Sequence, residues 1–289
     1  MPGMSMSVSP SHFWQLGFFE LWHPVLFVIL VAIGFVYIRT VQRHEKKPVI
    51  TKTISFNLSL LMFYFSEGSP LSALGHHFLF SAHMLSMSVT YFIVPPLFLG
   101  GIYEWMIVPL VKRSAFKRFI NFMTNPILAV SLFNLLLSFY HVPVIFNLIM
   151  SKMAYMNLSL VLLLFFAFVM WWPIVQPTLE TRSLTELQKL GYVFVASILL
   201  TPACAMITFA NSFLYLKTAT EPTFFANFSP MEDQSTGGVV MKVTQELVFI
   251  CTFAYIFFKW SKREKPELEN DLNPKLTSIK QQLPSFRTK

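Results

Sequence analysis

The chain has 289 residues, of which 54% are hydrophobic and only 12% are charged, and its mean hydropathy is +0.57. Soluble globular domains carry about twice that charged fraction, so the composition excludes a soluble domain and indicates an integral membrane protein. The formal charge of +8 does not indicate a nucleic-acid-binding protein, because the basic residues lie in short loops beside apolar segments.

Seven apolar segments are predicted to cross the membrane as helices. They lie at about 16–38, 53–66, 72–99, 124–149, 153–175, 189–214 and 239–259. The second closes at a predicted turn over 67–70, and 102–122 is expected to form an amphipathic segment at the interface. Residues 1–12 lack a basic stretch, so no cleaved signal peptide is expected.

The positions of lysine and arginine predict how the helices are oriented. With the N-terminus outside, 19 of the 22 basic residues fall in inner segments. Those segments are 39–52, 101–123, 176–189 and 259–289. The predicted fold is therefore all-α, a polytopic membrane protein of seven transmembrane helices with its N-terminus outside and its C-terminus in the cytoplasm. The transmembrane domain covers 1–260, and the charged tail 261–289 is expected to be loosely ordered.

The third segment carries histidines and methionines at helical spacing. His76, His83 and Met87 are seven and four residues apart, which places them on one face of a continuous helix. His77 and Met84 form a second stripe beside the first. Imidazole and thioether groups are suitable ligands for a soft ion such as Cu(I). Methionine also fills gaps in apolar helices, so simple packing is the alternative.

More donor side chains are predicted near the same outer surface. His141 lies near the outer end of the fourth segment, and three methionines surround the start of the fifth, Met150, Met153 and Met156. Ionisable groups inside a membrane are costly and usually functional. For His83 and His141 a hydrogen bond to a neighbouring helix is the alternative.

Two other features of the last segments have structural interpretations. Lys242 and Glu246 are four residues apart and are expected to form an ion pair, with a proton or cation route as the alternative. Cys204 and Cys251 both fall inside predicted spans, so two buried thiols are expected rather than a disulfide.

The stretch SPLSALGHHFLFSAHMLSMSVTYFIVPPLFLGG resembles the signature of the CtaG family of bacterial cytochrome c oxidase (caa-type) assembly factors. The stretches YHVPVIFN, FAFVMWWPIV and MEDQSTGGVVMKVTQE follow in the same order, and the similarity covers about 15–260. The resemblance implies a multi-pass protein of the bacterial inner (plasma) membrane that is needed to build the oxidase. It also implies a role in helping copper reach the copper B centre of oxidase subunit I.

The resemblance assigns the motif histidines of the third and fourth spans to His83 and His141. The outer-loop motif is matched by Asp233, Gly237 and Gly238. Many family members have a second histidine where Met87 stands, and histidines near the start of the fifth span where this chain has methionines. Either methionine replaces histidine as a Cu(I) ligand, or metal binding is lost and a scaffolding role remains.

The expected copper ligands are His83, Met87 and His141. The expected relay residues are His76, His77 and Met84. Oxidase subunit I, a copper chaperone on the outer face and the lipid bilayer are the expected partners, and the sequence leaves a homo-oligomer open. A metal-free assembly scaffold and a haem-binding protein with two axial histidines stay open as alternatives. An enzyme is not expected, because the sequence offers neither an H-E-x-x-H pattern nor a nucleophile with a base.

Overall fold

The computed structural model describes residues 13, 17–181, 183–215 and 228–282, and side chains as far as 264. Residues 1–12, much of the predicted outer loop and the last seven residues of the tail lie outside the described part. The α-helices are α1 (Phe18–Trp22), α2 (Pro24–His44), α3 (Ile50–Glu67), α4 (Pro70–His77), α5 (Phe80–Ser88), α6 (Val94–Gly101), α7 (Glu104–Val111), α8 (Ser114–Met123), α9 (Pro126–Tyr140), α10 (Pro143–Met150), α11 (Met153–Val175), α12 (Glu186–Thr208) and α13 (Pro230–Gln282).

Five helical segments within the described ranges are long and apolar enough to cross a membrane. They are Phe18–His44, Phe80–Gly101, Met153–Val175, Glu186–Thr208 and Pro230–Glu264. The pair α8 and α9, which meet at a bend of 65°, gives a sixth if the pair is counted as one span. The predicted all-α membrane fold is therefore confirmed. The count of seven is not confirmed, and the N-outside orientation stays a prediction.

Local sequence signals start several of these helices. The side chain of Asn125 accepts a hydrogen bond from the Ile127 N–H, and Pro126 occupies the first position of α9, where its missing N–H costs nothing. Thr185 and Gln188 form a reciprocal capping box at the start of α12.

The predicted third span is not one continuous helix. α4 ends at His77 and α5 begins at Phe80, because Leu79 between them has an extended backbone (φ −127°, ψ 119°). A π-helical turn, Val89–Ile93, then separates α5 from α6. The expectation of one unbroken face through this span is therefore wrong. The new helix start at Phe80 is stabilised by a side chain from α13, which no local pattern could reveal.

Helices α5, α6, α9, α11, α12 and α13 enclose the main core. The ring of Phe92 contacts Phe133 and Phe249 edge to face, with centroids 5.9 and 5.8 Å away. The indole N–H of Trp171 donates to the carbonyl oxygen of Tyr91 at 3.2 Å. Because lipid tails are as apolar as these side chains, close packing rather than escape from water holds the helices together.

The bundle has two ends, which are named here by their side chains. The histidine end is the end at which α5 and α11 begin, and the lysine end is the one at which α3 and α12 begin. Contacts among the described residues join the four basic segments at the lysine end: Lys52 with Ile102, Lys117 with Glu180, and Lys259 with Glu186. The short helices α7 and α8 belong to the second of these segments.

The predicted pairing of Lys242 and Glu246 is confirmed. The Lys242 ammonium contacts the Glu246 carboxylate and donates to the Ser197 carbonyl oxygen at 2.9 Å, so the pair joins α13 to α12. Both cysteines are free thiols, as predicted. Cys204 is buried, whereas Cys251 is exposed, so the expectation of a buried thiol at Cys251 is wrong. Cys251 lines a cavity at the lysine end rather than the core.

Candidate functional site

Imidazole and thioether side chains converge on one small pocket at the histidine end. Its volume is about 70 Å³. The nitrogen and sulfur donors that line it are His76, His83, Met87, Met150, Met153 and Met156. The oxygen-bearing side chains that line it are Glu67, Ser72, Ser86, Tyr91, Tyr140, Asn157 and Ser159. We call it the histidine–methionine pocket; its donors come from α4, α5, α10 and α11.

His83 is buried in the pocket and contacts side chains of neighbouring helices. Its side chain is 7% exposed, and its Nε2 atom is hydrogen-bonded to the Tyr140 hydroxyl at 3.0 Å. Phe146 contacts the imidazole edge to face, with ring centroids 5.8 Å apart. The His76 ring lies 5.8 Å from the His83 ring, also centroid to centroid. The two imidazoles are therefore neighbours although a helix break separates them in the chain.

A glycine permits this approach. A Cβ atom added to Gly75 would lie 2.8 Å from both the backbone N and the Cα of His83. Backbone atoms cannot rotate away as a side chain can, so a larger residue would force α4 and α5 apart. Gly75 thus allows α4 to lie against α5 and to bring His76 beside His83.

Asp233 of α13 determines where α5 begins. The carboxylate is 4% exposed and accepts the Phe80 N–H at 2.6 Å, the Ser81 N–H at 3.0 Å and the Ser81 hydroxyl. The first N–H groups of a helix have no partner within the helix, so a buried acceptor there stabilises the helix start. The residue that the resemblance assigned to a loop motif therefore positions the helix that carries His83 and Met87.

The two glycines of the same motif permit close packing. A Cβ atom on Gly237 would meet the Phe80 ring at 2.4 Å, and one on Gly238 would meet the Thr208 hydroxyl oxygen at 2.4 Å. Small residues let α13 approach both α5 and α12 closely.

Of the two predicted stripes of the third segment, the structure brings the first together in the pocket and separates the two residues of the second. His76, His83 and Met87 line the pocket. His77 is exposed and does not line it. Met84 is fully buried and packs in the core. It lies against Gly237 of α13, so closely that a Cβ atom added to this glycine would be 3.1 Å from the Met84 Cγ. Both stripes assumed a continuous helix, but across the break after α4 only His76 lies beside its predicted neighbour, His83, whereas His77 is exposed.

His141 is fully buried but is not among the residues that line the pocket. Its Nδ1 atom lies 2.7 Å from the Leu137 carbonyl oxygen, so we assign the proton to Nδ1. The Tyr215 hydroxyl donates to the His141 carbonyl oxygen at 2.9 Å. In the described part of the chain, Nε2 of His141 has no hydrogen-bond partner. His141 adjoins the pocket through Tyr140, whose ring centroid is 5.2 Å from its own.

Sequence reasoning missed Glu67 as a pocket residue. It was predicted in a turn, but the structure places it as the last residue of α3, in the lining of the pocket. The Thr90 hydroxyl donates to its carboxylate at 2.8 Å. A carboxylate at the end of an apolar segment was the available signal, since such groups are rarely placed there without a role.

The donor set fits a soft ion. No group of three or more histidine, cysteine, aspartate or glutamate side chains that could hold a metal occurs within the described ranges. The pocket instead offers two imidazoles together with thioethers, which are ligands that Cu(I) accepts.

A protein-family model described as cytochrome c oxidase caa3 assembly factor matches residues 20–263. The match covers most of the chain and includes every residue of the histidine–methionine pocket. The comparisons with curated proteins and with solved structures gave no match.

Proposed function

The chain belongs to the family of cytochrome c oxidase caa3 assembly factors, and we propose that it serves this assembly by holding Cu(I) as cargo in the histidine–methionine pocket. The destination of the ion in this proposal is the copper B centre of subunit I. A copper chaperone on the outer face of the bacterial plasma membrane would supply it. The protein performs no catalytic step.

One observation carries the proposal. His76, His83 and Met87 line a single pocket with three further methionines, although these side chains come from four helices. A packing role for methionine does not require imidazoles beside it. Nitrogen and thioether sulfur are both suitable donors for Cu(I), so methionine can take the place of the histidines that many family members have.

The exposure of the donors suggests a direction of transfer. Met153 is 71% exposed, whereas His83 and Met87 are buried. A Cu(I) ion would first meet thioethers near the surface and then exchange onto the deeper imidazole. Release to a site richer in imidazole needs only ligand exchange, because the ion keeps its oxidation state.

Two alternatives to copper binding are a haem site and a metal-free scaffold, and the pocket volume bears on the first. Pockets for organic ligands usually measure about 300–1,000 Å³, whereas this pocket measures about 70 Å³. A haem bound to His83 would therefore require the helices to separate. A metal-free assembly scaffold is the second candidate, and the lack of a conventional metal cluster among the described residues favours it.

Adjacent histidines provide the test. The full chain would be purified in detergent, and its copper content and Cu(I) affinity measured by competition with a chromophoric chelator. His76→Ala and His83→Ala should each lower the Cu(I) affinity at least about tenfold. Loss of a residue that only hydrogen-bonds to a metal ligand already lowers metal affinity by about that factor, so loss of a ligand should lower it at least as much. His77→Ala is the matched control and should leave the affinity unchanged, because His77 lies outside the pocket.

Two results would contradict the copper proposal. One is an equal loss of affinity in His76→Ala and His77→Ala. The other is a wild-type protein that binds no Cu(I) while the pocket variants still support oxidase assembly in cells, which would favour the scaffold. A Soret band in the purified protein would favour the haem alternative.

A further inference from the structure

A second cavity lies at the lysine end and is not used by the proposed copper transfer. It measures about 600 Å³ and is enclosed by α3, α6, α11, α12 and α13. Its lining includes Lys52, Lys189, Lys259 and Glu186. We call it the lysine cavity. Three ammonium groups thus line it with one carboxylate among the residues that the structure describes.

That carboxylate is shared between two lysines. Glu186 lies 2.9 Å from the Lys259 ammonium and 4.0 Å from the Lys189 ammonium. Lys189 is only 6% exposed. A buried lysine is nearly always paired, and one carboxylate cannot neutralise two ammonium groups.

The third lysine contacts a neutral carbonyl group and an aromatic ring. The Lys52 ammonium donates to the Ile102 carbonyl oxygen at 3.2 Å and lies 4.7 Å from the centre of the Tyr103 ring. These contacts do not neutralise its charge, and the Glu104 carboxylate, which interacts with Lys52 electrostatically, does not line the cavity. The described lining of the cavity therefore carries an excess of positive charge that an anion would balance.

Much of the rest of the cavity wall is apolar. Leu97, Trp171, Ile174 and Ile256 contribute to it. A small inorganic anion would leave this wall without a partner, whereas an amphiphile could place its charged group on the lysines and its chain along the wall. Basic pockets between transmembrane helices bind anionic lipid headgroups in the same manner.

We propose that the lysine cavity binds the phosphate headgroup of an anionic phospholipid, with an acyl chain along the apolar wall. The site is at the opposite end of the bundle from the histidine–methionine pocket and does not depend on copper binding there. Inorganic phosphate offers the lysines the same chemistry, so the test must separate the two sources.

The test is native mass spectrometry of the purified full chain with phosphatidylglycerol or phosphatidylethanolamine at equal concentration. Both lipids carry a phosphate, but the ammonium of phosphatidylethanolamine would be repelled by the lysines. The wild type should retain phosphatidylglycerol in preference by about tenfold, since repulsion between the phosphatidylethanolamine ammonium and the lysines is enough for such a ratio. Inorganic phosphate should not displace the lipid.

The double variant Lys52→Gln, Lys259→Gln should lose this preference. Lys189 is left unchanged because it is buried and its loss could unfold the protein. Lys117→Gln is the matched control, since Lys117 pairs with Glu180 at 3.1 Å and does not line the cavity. Thermal unfolding of each variant checks that it is folded.

Three results would overturn the proposal. The first is equal or no retention of the two lipids by the wild type. The second is a loss of preference in Lys117→Gln as large as in the double variant. The third is complete displacement of phosphatidylglycerol by millimolar inorganic phosphate, which would identify a site for the free anion.

Discussion

Two carboxylates at opposite ends of the bundle hold distant parts of the chain by the same chemistry. Asp233, at the histidine end, accepts hydrogen bonds from two backbone N–H groups and a hydroxyl group at the start of α5. Glu104, at the lysine end, accepts the Leu179 N–H and the Thr178 hydroxyl, both at 3.0 Å. Asp233 is buried, whereas Glu104 is exposed.

This difference in burial decides how much each carboxylate contributes to the stability of the fold. Water can replace a hydrogen bond lost at an exposed site, but a buried donor that loses its acceptor pays its full desolvation cost. The cavities at the two ends also differ, with a volume of about 70 Å³ at the histidine end and about 600 Å³ at the lysine end. We propose a single ion for the first cavity and a larger amphiphile for the second.

The largest effect is expected for Asp233→Ala. The variant leaves the Phe80 and Ser81 N–H groups without their buried acceptor and should lower the free energy of unfolding by about 2–4 kcal/mol. Cu(I) affinity should fall with it, because α5 carries His83 and Met87. Thermal unfolding and chelator competition would measure the two effects.

The neighbouring Glu232 is the control for this prediction. Glu232 is exposed and caps its own helix through Ser229, so Glu232→Ala should cost about 1 kcal/mol or less. Equal losses in Asp233→Ala and Glu232→Ala would mean that burial does not distinguish the two carboxylates.

Gly75→Ala should be the next most destabilising change. The added Cβ would lie 2.8 Å from backbone atoms of His83, and such overpacking typically costs about 1–3 kcal/mol. Gly191, within α12, provides the control, because a Cβ added there would meet no described atom within 4 Å apart from its chain neighbours and its own helix backbone. Gly191→Ala should be stabilising by about 0.5–1 kcal/mol, because alanine favours a helix over glycine. A stable Gly75→Ala protein would contradict the close helix contact.

The helix break explains why the sequence predicted the pocket only in part. The spacing of His76, His83 and Met87 identified three pocket residues, but on the wrong assumption of a continuous helix. The same assumption included His77 and Met84, which the break directs elsewhere. The capping contact that fixes the break joins residues 153 positions apart, Phe80 and Asp233. Periodicity and local capping signals cannot detect a contact at that separation.

The all-α membrane class was predictable for a different reason, since composition alone excludes a soluble domain. Glu67 was not identified, because a carboxylate beside glycine, serine and proline is typical of a turn. Only the packing of α3 against the third span shows that its carboxylate lines the pocket. The lysine cavity was likewise hidden, because its lysines come from three helices that are far apart in the chain.

A smaller effect, on binding rather than stability, should separate two buried methionines. Met87→Leu removes a thioether from the pocket, whereas Met84→Leu removes one from the core. Both are volume-conserving changes that should cost less than about 1.5 kcal/mol of stability. Met87→Leu should weaken Cu(I) binding about tenfold, or about 1.4 kcal/mol, by chelator competition. Equal affinities in the two variants would remove Met87 from the ligand set.

The smallest effect is expected for Glu104→Gln, at the exposed carboxylate. The Leu179 N–H and the Thr178 hydroxyl favour the charged form and hold the pKa of Glu104 below its ordinary value. A lowered pKa contributes stability above the ordinary carboxylate pKa, and this contribution is lost as the pH falls through the pKa of the folded state. Thermal unfolding should therefore show wild type slightly more stable than Glu104→Gln at neutral pH, with the difference disappearing in acid. If the stability difference between wild type and Glu104→Gln persisted unchanged in acid, the charge of Glu104 would not be what holds the segment around Thr178 and Leu179.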